Sequence, residues 1–191
     1  MSKKVKMMSE TAIMVALAVL LDFLFKAIPF MEMPTGGSFS LAMMPVILNG
    51  YRNGTKWGII SGICYAVINF MIDGFWWHWG SIFFDYLIAF GILGLSGLFK
   101  NKASTNVGWY IGGIVFVCFL RYISHSLGGV MFFAEYAEDW FVNNPDSFAK
   151  GSVFLYSFVI YNGPYLLLST IGVVLVSLGL RKFIFPESCK K

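Results

Sequence analysis

VGWYIGGIVFVCFLRYISHSLGGVMFF, residues 107–133, is the stretch of this chain that decides its fold. It is long enough to cross a bilayer as a helix, which takes about 20 predominantly apolar residues. Yet it carries Arg121 and His125, and it ends in paired glycines and paired phenylalanines. Ionisable side chains inside a membrane are costly and almost always face a protein interior or a cavity. The stretch therefore predicts a membrane helix with one face turned towards a polar site.

The rest of the chain has the same apolar character. Hydrophobic residues make up 58% of the 191 residues and charged residues only 13%, whereas soluble domains carry about 25% charged residues. This composition predicts an all-α integral membrane protein forming a single domain over residues 1–191. The six predicted spans are 12–30, 41–50, 58–72, 81–99, 107–133 and 152–180. The second and third are short, so they are expected to be tilted, partly unwound or sheltered by neighbouring helices.

The charges of the loops predict the orientation of these six helices. With the N-terminus inside, the inner segments hold eleven lysines and arginines, and the outer segments hold only Lys150. A bias of this kind places both termini in the cytoplasm. The first helix, which follows Lys3, Lys4 and Lys6, is expected to be retained rather than cleaved as a signal peptide, because its small-residue triplet lies inside the apolar run.

Several function classes lack support in the sequence. No phosphate-binding GxxxxGK[ST] motif is present, so ATP hydrolysis by this chain is not expected. The basic residues are scattered over inner loops, which argues against nucleic-acid binding. Cys64, Cys118 and Cys189 show no metal-ligand or disulfide spacing, so no metal site is predicted.

Polar residues within the spans indicate a binding pocket. Asp85, His125 and Asn162 lie on three different helices, at depths of roughly 8, 13 and 15 Å from the predicted outer ends. A few convergent polar groups within apolar walls are typical of a small-molecule site. A carboxylate among aromatic rings favours a small, flat, cationic, nitrogen-rich ligand. Asp22 and Lys26, four residues apart on the first helix, are expected to pair with each other.

On the predicted helix 107–133, side chains of distinctive chemistry recur at steps of three to four residues and so share one face. It presents, in order, Arg121, His125, Gly129, either Phe132 or Phe133, and Tyr136. Arg121 is expected to have a structural role, holding Asp85 or helix-end carbonyl groups. The glycines allow close approach of either a neighbouring helix or a flat ligand, and helix packing is the commoner use.

Five segments together resemble the thiamine-specific substrate-binding subunit, or S-component, of energy-coupling factor (ECF) vitamin transporters. They are MPTGGSFSLAMMPVIL (33–48), GYRNGTKWG (50–58), FFDYLIAFGILGLSGLF (83–99), RYISHSLGGVMFFAEYA (121–137) and YSFVIYNGPY (156–165). The resemblance covers nearly the whole chain. It implies an S-component fold of six helices in the cell membrane, and no enzymatic activity or cofactor.

The resemblance also implies a ligand, partners and roles for particular segments. The ligand is thiamine, captured outside, and the partners are a membrane coupling subunit and two ATPase subunits. The loop 31–39, which contains Pro34, corresponds to the family's lid. Ala12 and Ala16 match an alanine motif that contacts the coupling subunit.

Seven residues match positions that bind the vitamin in this family. Asp85 is placed on the aminopyrimidine ring, and Phe133 on the thiazolium ring. The remaining five are Tyr86, His125, Gly129, Tyr156 and Asn162. Among them, His125 and Asn162 are expected to make polar contacts, and Gly129 to give room.

Two departures from the family pattern leave alternatives open. Asn162 follows Tyr156 by six residues instead of the usual five, which rotates an α-helix by about 100°. Ser157 or Tyr161 is therefore an alternative to Tyr156. In the aromatic stretch before the fourth helix, the residue that caps the pocket is Phe75, Trp76 or Trp77.

Two other functions remain as alternatives. One is an S-component for another vitamin, such as riboflavin, or for a pyrimidine precursor. The other is an integral-membrane enzyme that uses His125 and Asp85 as base and acid, although neither a nucleophile nor a metal set accompanies them.

Overall fold

The computed structural model describes residues 2–33, 37–76 and 78–185, and over these ranges the chain is helical. Helices of the protein are named in chain order as α1 (Lys3–Lys26), α2 (Met43–Asn53), α3 (Thr55–Asp73), α4 (Trp79–Thr105), α5 (Val107–Phe132), α6 (Ala134–Asn143) and α7 (Val153–Ile184). A 3-10 turn, Pro29–Met31, follows α1, and an antiparallel bridge joins Glu32 to Ser38.

Five of these helices, namely α1, α3, α4, α5 and α7, are long and apolar enough to cross a membrane. The prediction of an all-helical protein with membrane-spanning helices is therefore confirmed. The second predicted span is α2, which has 11 residues and is shorter than the roughly 20 residues that a bilayer requires. Every residue from Met43 to Tyr51 is buried by the surrounding helices. The helix α2 is therefore sheltered by its neighbours, which is one of the three structures expected for this segment.

The ends of the first helix differ from the prediction. The span was placed at residues 12–30, whereas α1 begins at Lys3, where the Ser2 side chain caps it by accepting from Val5 N at 3.3 Å. It ends at Lys26, before Pro29, because proline cannot continue a helix interior. Phe30 then lies in the 3-10 turn, where the residue is 93% exposed.

Glycines allow α3 and α4 to pack with their backbones in contact. A Cβ atom added to Gly58 would lie 2.8 Å from Gly94 Cα, and one added to Gly62 would overlap the carbonyl oxygen of Phe90. Close approach of this kind is how membrane helices associate without a hydrophobic driving force between them. The crossing fixes α4 against α3 and thereby positions the N-terminal half of α4.

Basic side chains join the helix ends at one end of the bundle. Arg52 binds both carboxylate oxygens of Glu10 at 3.0 and 2.9 Å and also donates to the carbonyl of Phe183 at 2.9 Å. Arg181 donates to the carbonyls of Ala103 and Ser104 at 2.8 and 3.0 Å. The start of α1 and the ends of α2, α4 and α7 therefore meet on the same side.

Two helices change to π geometry at the opposite end, over Ile82–Ile88 in α4 and Tyr156–Tyr161 in α7. A π segment breaks the regular pairing of helix carbonyls, which then need other donors in a membrane. Side chains of α5 supply them, since Ser124 donates to Phe84 O at 2.7 Å and Tyr122 donates to Phe158 O at 2.8 Å. Hence α5 holds both irregular segments in place.

Candidate ligand-binding site

A cavity of about 400 Å³ lies between α1, α3, α4, α5 and α7, at the end of the bundle opposite the basic side chains. The seven residues that the sequence proposed for the ligand all line it, namely Asp85, Tyr86, His125, Gly129, Phe133, Tyr156 and Asn162. Its size suits a small organic molecule, since ligand pockets measure roughly 300–1,000 Å³.

Three side chains form a polar relay along one wall. His125 Nδ1 lies 3.3 Å from Asp85 Oδ1, and Arg121 Nε donates to His125 Nε2 at 3.3 Å. Because Nε2 accepts a hydrogen bond from Arg121, the imidazole is the neutral form with its hydrogen on Nδ1, directed at the carboxylate. Arg121 also stacks over the Phe90 ring at 4.4 Å. It thus has a positioning contact with His125, and not the direct hold on Asp85 that was one of the expectations.

An aromatic wall stands beside this relay. Phe75 and Phe133 stack with their ring centroids 6.1 Å apart, and Tyr136 meets both rings edge-on. The Tyr86 hydroxyl accepts from Phe75 N at 2.9 Å and fixes the segment that carries Phe75. Phe75 lines the cavity, whereas Trp76 does not, and Trp77 lies outside the described residues.

Gly129 makes room for a neighbouring helix. A Cβ atom there would overlap the Ser157 hydroxyl, which donates to the carbonyl of Ser126 at 2.8 Å. The absent side chain therefore lets α5 and α7 touch at the cavity wall, which is the packing use that the sequence had left open. Gly128 has a similar relation to Asp85, whose Oδ1 would lie 2.8 Å from an added Cβ.

Asn162 lies at the junction of the π segment and the α-helical part of α7. Its amide nitrogen donates to Ser157 O at 3.0 Å, and its amide oxygen accepts from the Tyr165 hydroxyl at 2.8 Å. With only 3% of its surface exposed, Asn162 is oriented by the protein itself. The backbone N–H of Asn162 donates to the same Ser157 carbonyl, so the residue is anchored twice to the π segment.

The π segment explains the unusual spacing before Asn162. It covers Tyr156–Tyr161, and a π turn accommodates one more residue than an α turn. Six positions in this geometry therefore turn the chain about as far as five do in an α-helix, so the extra residue does not move Asn162 out of the cavity that Tyr156 lines. The cavity is lined by all four residues, Tyr156, Ser157, Tyr161 and Asn162. The three candidates for the residue that faces the ligand beside Asn162 are therefore not mutually exclusive.

A second polar group, on the part of the wall formed by α1 and α3, was not predicted as part of the pocket. Asp22 and Lys26 pair at 2.9 Å, which confirms the expected ion pair, but both also line the cavity. Asn69 of α3 donates to Asp22 Oδ2 at 2.7 Å, and Tyr65 lies beside them. Asn69 lies in the third predicted span, 58–72, and carries no charge, so no sequence signal distinguished it.

The loop after α1 reaches the cavity mouth. Gly37 and Ser38 line the cavity, and Met33 N donates to Gly37 O at 2.9 Å. Gly37 adopts a φ of +76° and packs against the Tyr165 ring, where any side chain would collide. Pro34 of the proposed lid lies outside the described residues.

Ala12 and Ala16 are far from the cavity. Both lie on the exposed face of α1, together with Ile13, Leu17 and Leu20. The structure thus leaves this small-residue face without a partner inside the described part of the chain.

A carboxylate, a neutral imidazole and stacked aromatic rings within one cavity can bind a flat cation. Asp85 supplies the acceptor, and the rings supply π faces that attract positive charge when water is excluded.

Comparisons with known proteins relate the whole chain to one family of transporters. A family model described as "Thiamine transporter protein" matches residues 8–185. The chain is 33% identical over 186 residues to the thiamine transporter ThiT of Bacillus subtilis, with 92% of this chain and 90% of the relative covered. It is 25% identical to the ThiT of Lacticaseibacillus paracasei, with 91% and 86% covered.

A solved structure of ThiT from Listeria monocytogenes shares the fold. The TM-score is 0.78 at 22% identity, and the match covers 96% of this chain and 99% of that one. The family is one of transporters and not of enzymes, and the several apolar helices make the chain a membrane protein. The match over residues 8–185 and the identity to the Bacillus subtilis protein establish that this chain belongs to the thiamine transporter protein family.

Proposed function

We propose that this chain captures thiamine on the outer side of the cell membrane, as the substrate-binding subunit of an ECF-type importer. The observation that carries the proposal is the cavity in which Asp85 faces a neutral imidazole and an aromatic wall. Thiamine joins an aminopyrimidine to a permanently cationic thiazolium, and each ring finds a matching group there. Family membership supports the same ligand.

The proposal assigns roles to the cavity residues. Asp85 accepts hydrogen bonds from the amidine-like edge of the aminopyrimidine, and His125 orients that carboxylate through Nδ1. Phe133, stacked on Phe75, faces the thiazolium, where a cation over a desolvated ring gains about 2 kcal/mol. Tyr86, Gly129, Tyr156 and Asn162 complete the wall, with Tyr86 holding the Phe75 segment and Gly129 allowing α7 to close on α5.

The proposal also sets the topology. The whole chain, residues 1–191, is one S-component domain in which α2 counts as a sixth, short span and both termini are cytoplasmic. The meeting of basic helix ends opposite the cavity supports it, since positive residues favour the inner side. The cavity then opens outwards, beneath a lid formed by residues 31–39.

The proposed partners are a membrane coupling subunit and two ATPase subunits. The exposed face of α1 with Ala12 and Ala16 is the proposed contact for the coupling subunit, because small residues permit close approach of another helix. ATP hydrolysis by those partners drives release of the vitamin inwards.

Ligand titration of the purified protein tests the proposal. The chain has six tryptophans, so their fluorescence can report binding directly. We expect thiamine to quench it at nanomolar concentrations and riboflavin to have no effect. Absence of a thiamine response at micromolar concentrations would refute the proposed ligand, and a riboflavin response would favour an S-component for another vitamin.

A further inference from the structure

We propose that Asn69 is a specificity residue that accepts a hydrogen bond from the hydroxyl group of the ligand's hydroxyethyl tail. This inference rests on the proposed function, since it takes thiamine as the ligand and Asp85 as the partner of the aminopyrimidine. It concerns the part of the cavity wall formed by α1 and α3, which is built of residues other than Asp85, His125 and Arg121.

The orientation of the Asn69 amide is fixed by its neighbours. The nitrogen donates to Asp22 Oδ2 at 2.7 Å and to the Tyr65 hydroxyl at 3.4 Å. The reverse orientation would place the amide oxygen against the Asp22 carboxylate, two acceptors facing each other. Lys26 binds the same carboxylate at 2.9 Å, so Asp22 is held from two sides and in turn fixes the Asn69 amide.

The Asn69 amide oxygen remains available as a hydrogen-bond acceptor. Both hydrogens of the nitrogen are used, and within the part of the chain that the structure describes no donor reaches the oxygen. Asn69 is partly buried and lines the cavity. A half-buried acceptor directed by a rigid cluster selects a ligand that carries an O–H or N–H donor at that position.

The chemistry of the proposed ligand offers two kinds of donor. One is the exocyclic amino group, which Asp85 takes under the proposed function. The other is the alcohol of the hydroxyethyl group, carried by the ring at the far end of the molecule. With the aminopyrimidine against the relay, the alcohol is the donor that remains for the α1–α3 wall.

A double-mutant comparison tests the inference, using Asn69→Leu and a thiamine analogue with ethyl in place of hydroxyethyl. For the unaltered protein, we expect the analogue to bind about tenfold more weakly than thiamine, as for one lost hydrogen bond to a half-buried group. For Asn69→Leu, thiamine should weaken by a similar factor, and the two ligands should then bind within about twofold of each other. Val67→Ala, on the exposed face of the same helix, is the matched control and should preserve the difference.

The outcomes separate the inference from the function on which it rests. Failure of the unaltered protein to bind thiamine would refute the proposed function. If the unaltered protein binds thiamine but Asn69→Leu keeps the full difference in affinity between thiamine and the ethyl analogue, the inference alone is overturned. A second analogue, with hydrogen in place of the exocyclic amino group, tests which donor Asn69 binds. If the affinity difference between thiamine and this analogue disappears in Asn69→Leu, the amino group is the donor. That outcome would overturn the assignment to the hydroxyl group. Retained binding of the analogues by the variant reports that it is folded.

Discussion

His125 Nδ1 lies 3.3 Å from Asp85 Oδ1, and the two residues come from different helices, α5 and α4. Arg121, one turn away from His125, keeps the imidazole in the tautomer that donates to the carboxylate. A charged carboxylate is thereby held in a cavity among helices that are otherwise apolar, and it keeps acceptor capacity for a ligand.

Replacing Asp85 with Asn should weaken thiamine binding by about 100-fold, because a charge-assisted hydrogen bond to the ligand is lost while the shape is kept. Fluorescence titration of the purified variant measures the change. Asp139→Asn, an exposed position on α6, is the control and should bind like the unaltered protein. Unchanged affinity of Asp85→Asn would mean that this carboxylate has only a structural role.

Replacing Gly129 with Ala should destabilise the protein, because the new methyl group overlaps the Ser157 hydroxyl. Overpacking of this kind costs roughly 2 kcal/mol, which corresponds to a fall in melting temperature of roughly 4–8 °C for a chain of this size. Thiamine affinity should fall as well, since α5 and α7 separate at the cavity wall.

Two further variants check the cause of that effect. Gly112→Ala lies on the same helix with nothing within 4 Å of the added atom, so it should leave melting and binding unchanged. Adding Ser157→Gly to Gly129→Ala should recover part of the lost stability. A double variant no more stable than Gly129→Ala alone would contradict the steric explanation.

Replacing both Ala12 and Ala16 with Leu should spare thiamine binding and impair uptake by cells at least tenfold, if close helix contact with the coupling subunit requires small residues. Both residues are exposed and far from the cavity. Leu175→Phe, on the exposed face of α7, serves as control and should transport normally. Loss of binding in the purified alanine variant would instead place these residues in the packing of the subunit itself.

Deleting Val159 should be better tolerated than deleting a residue elsewhere in α7. Val159 is exposed within the π segment, so its removal converts that segment to an α-helix and keeps Tyr156 and Asn162 on one wall. Deleting Leu167, exposed in the α-helical part, rotates the helix that follows by about 100° and should prevent folding. Yield, melting temperature and thiamine titration compare the two deletion variants. Equal losses of stability and binding would show that the π segment does not tolerate the removal of a residue better than the α-helical part.

The sequence alone determined the class of protein and most of the cavity. Long apolar runs predict membrane helices because a bilayer tolerates few other structures, and Asp85 and His125 stood out because ionisable groups are costly there. The motif order then related the chain to thiamine-binding S-components, and the family comparison agrees. Each of these signals is local, since it depends on the residue and its immediate neighbours along the chain.

Only the tertiary structure decided how the helices share that cavity. The π segments in α4 and α7 are stable because Ser124 and Tyr122 of α5 satisfy their carbonyls, and pairings of this kind between helices leave no local pattern. They explain why a spacing of six positions from Tyr156 to Asn162 serves as well as a spacing of five. Likewise, Asp22 and Lys26 looked like a self-contained pair, and packing of α1 on α3 brought them to Asn69 and the cavity. Helix faces meet through three-dimensional packing, so the identity of the neighbour is set by the fold and not by the sequence spacing.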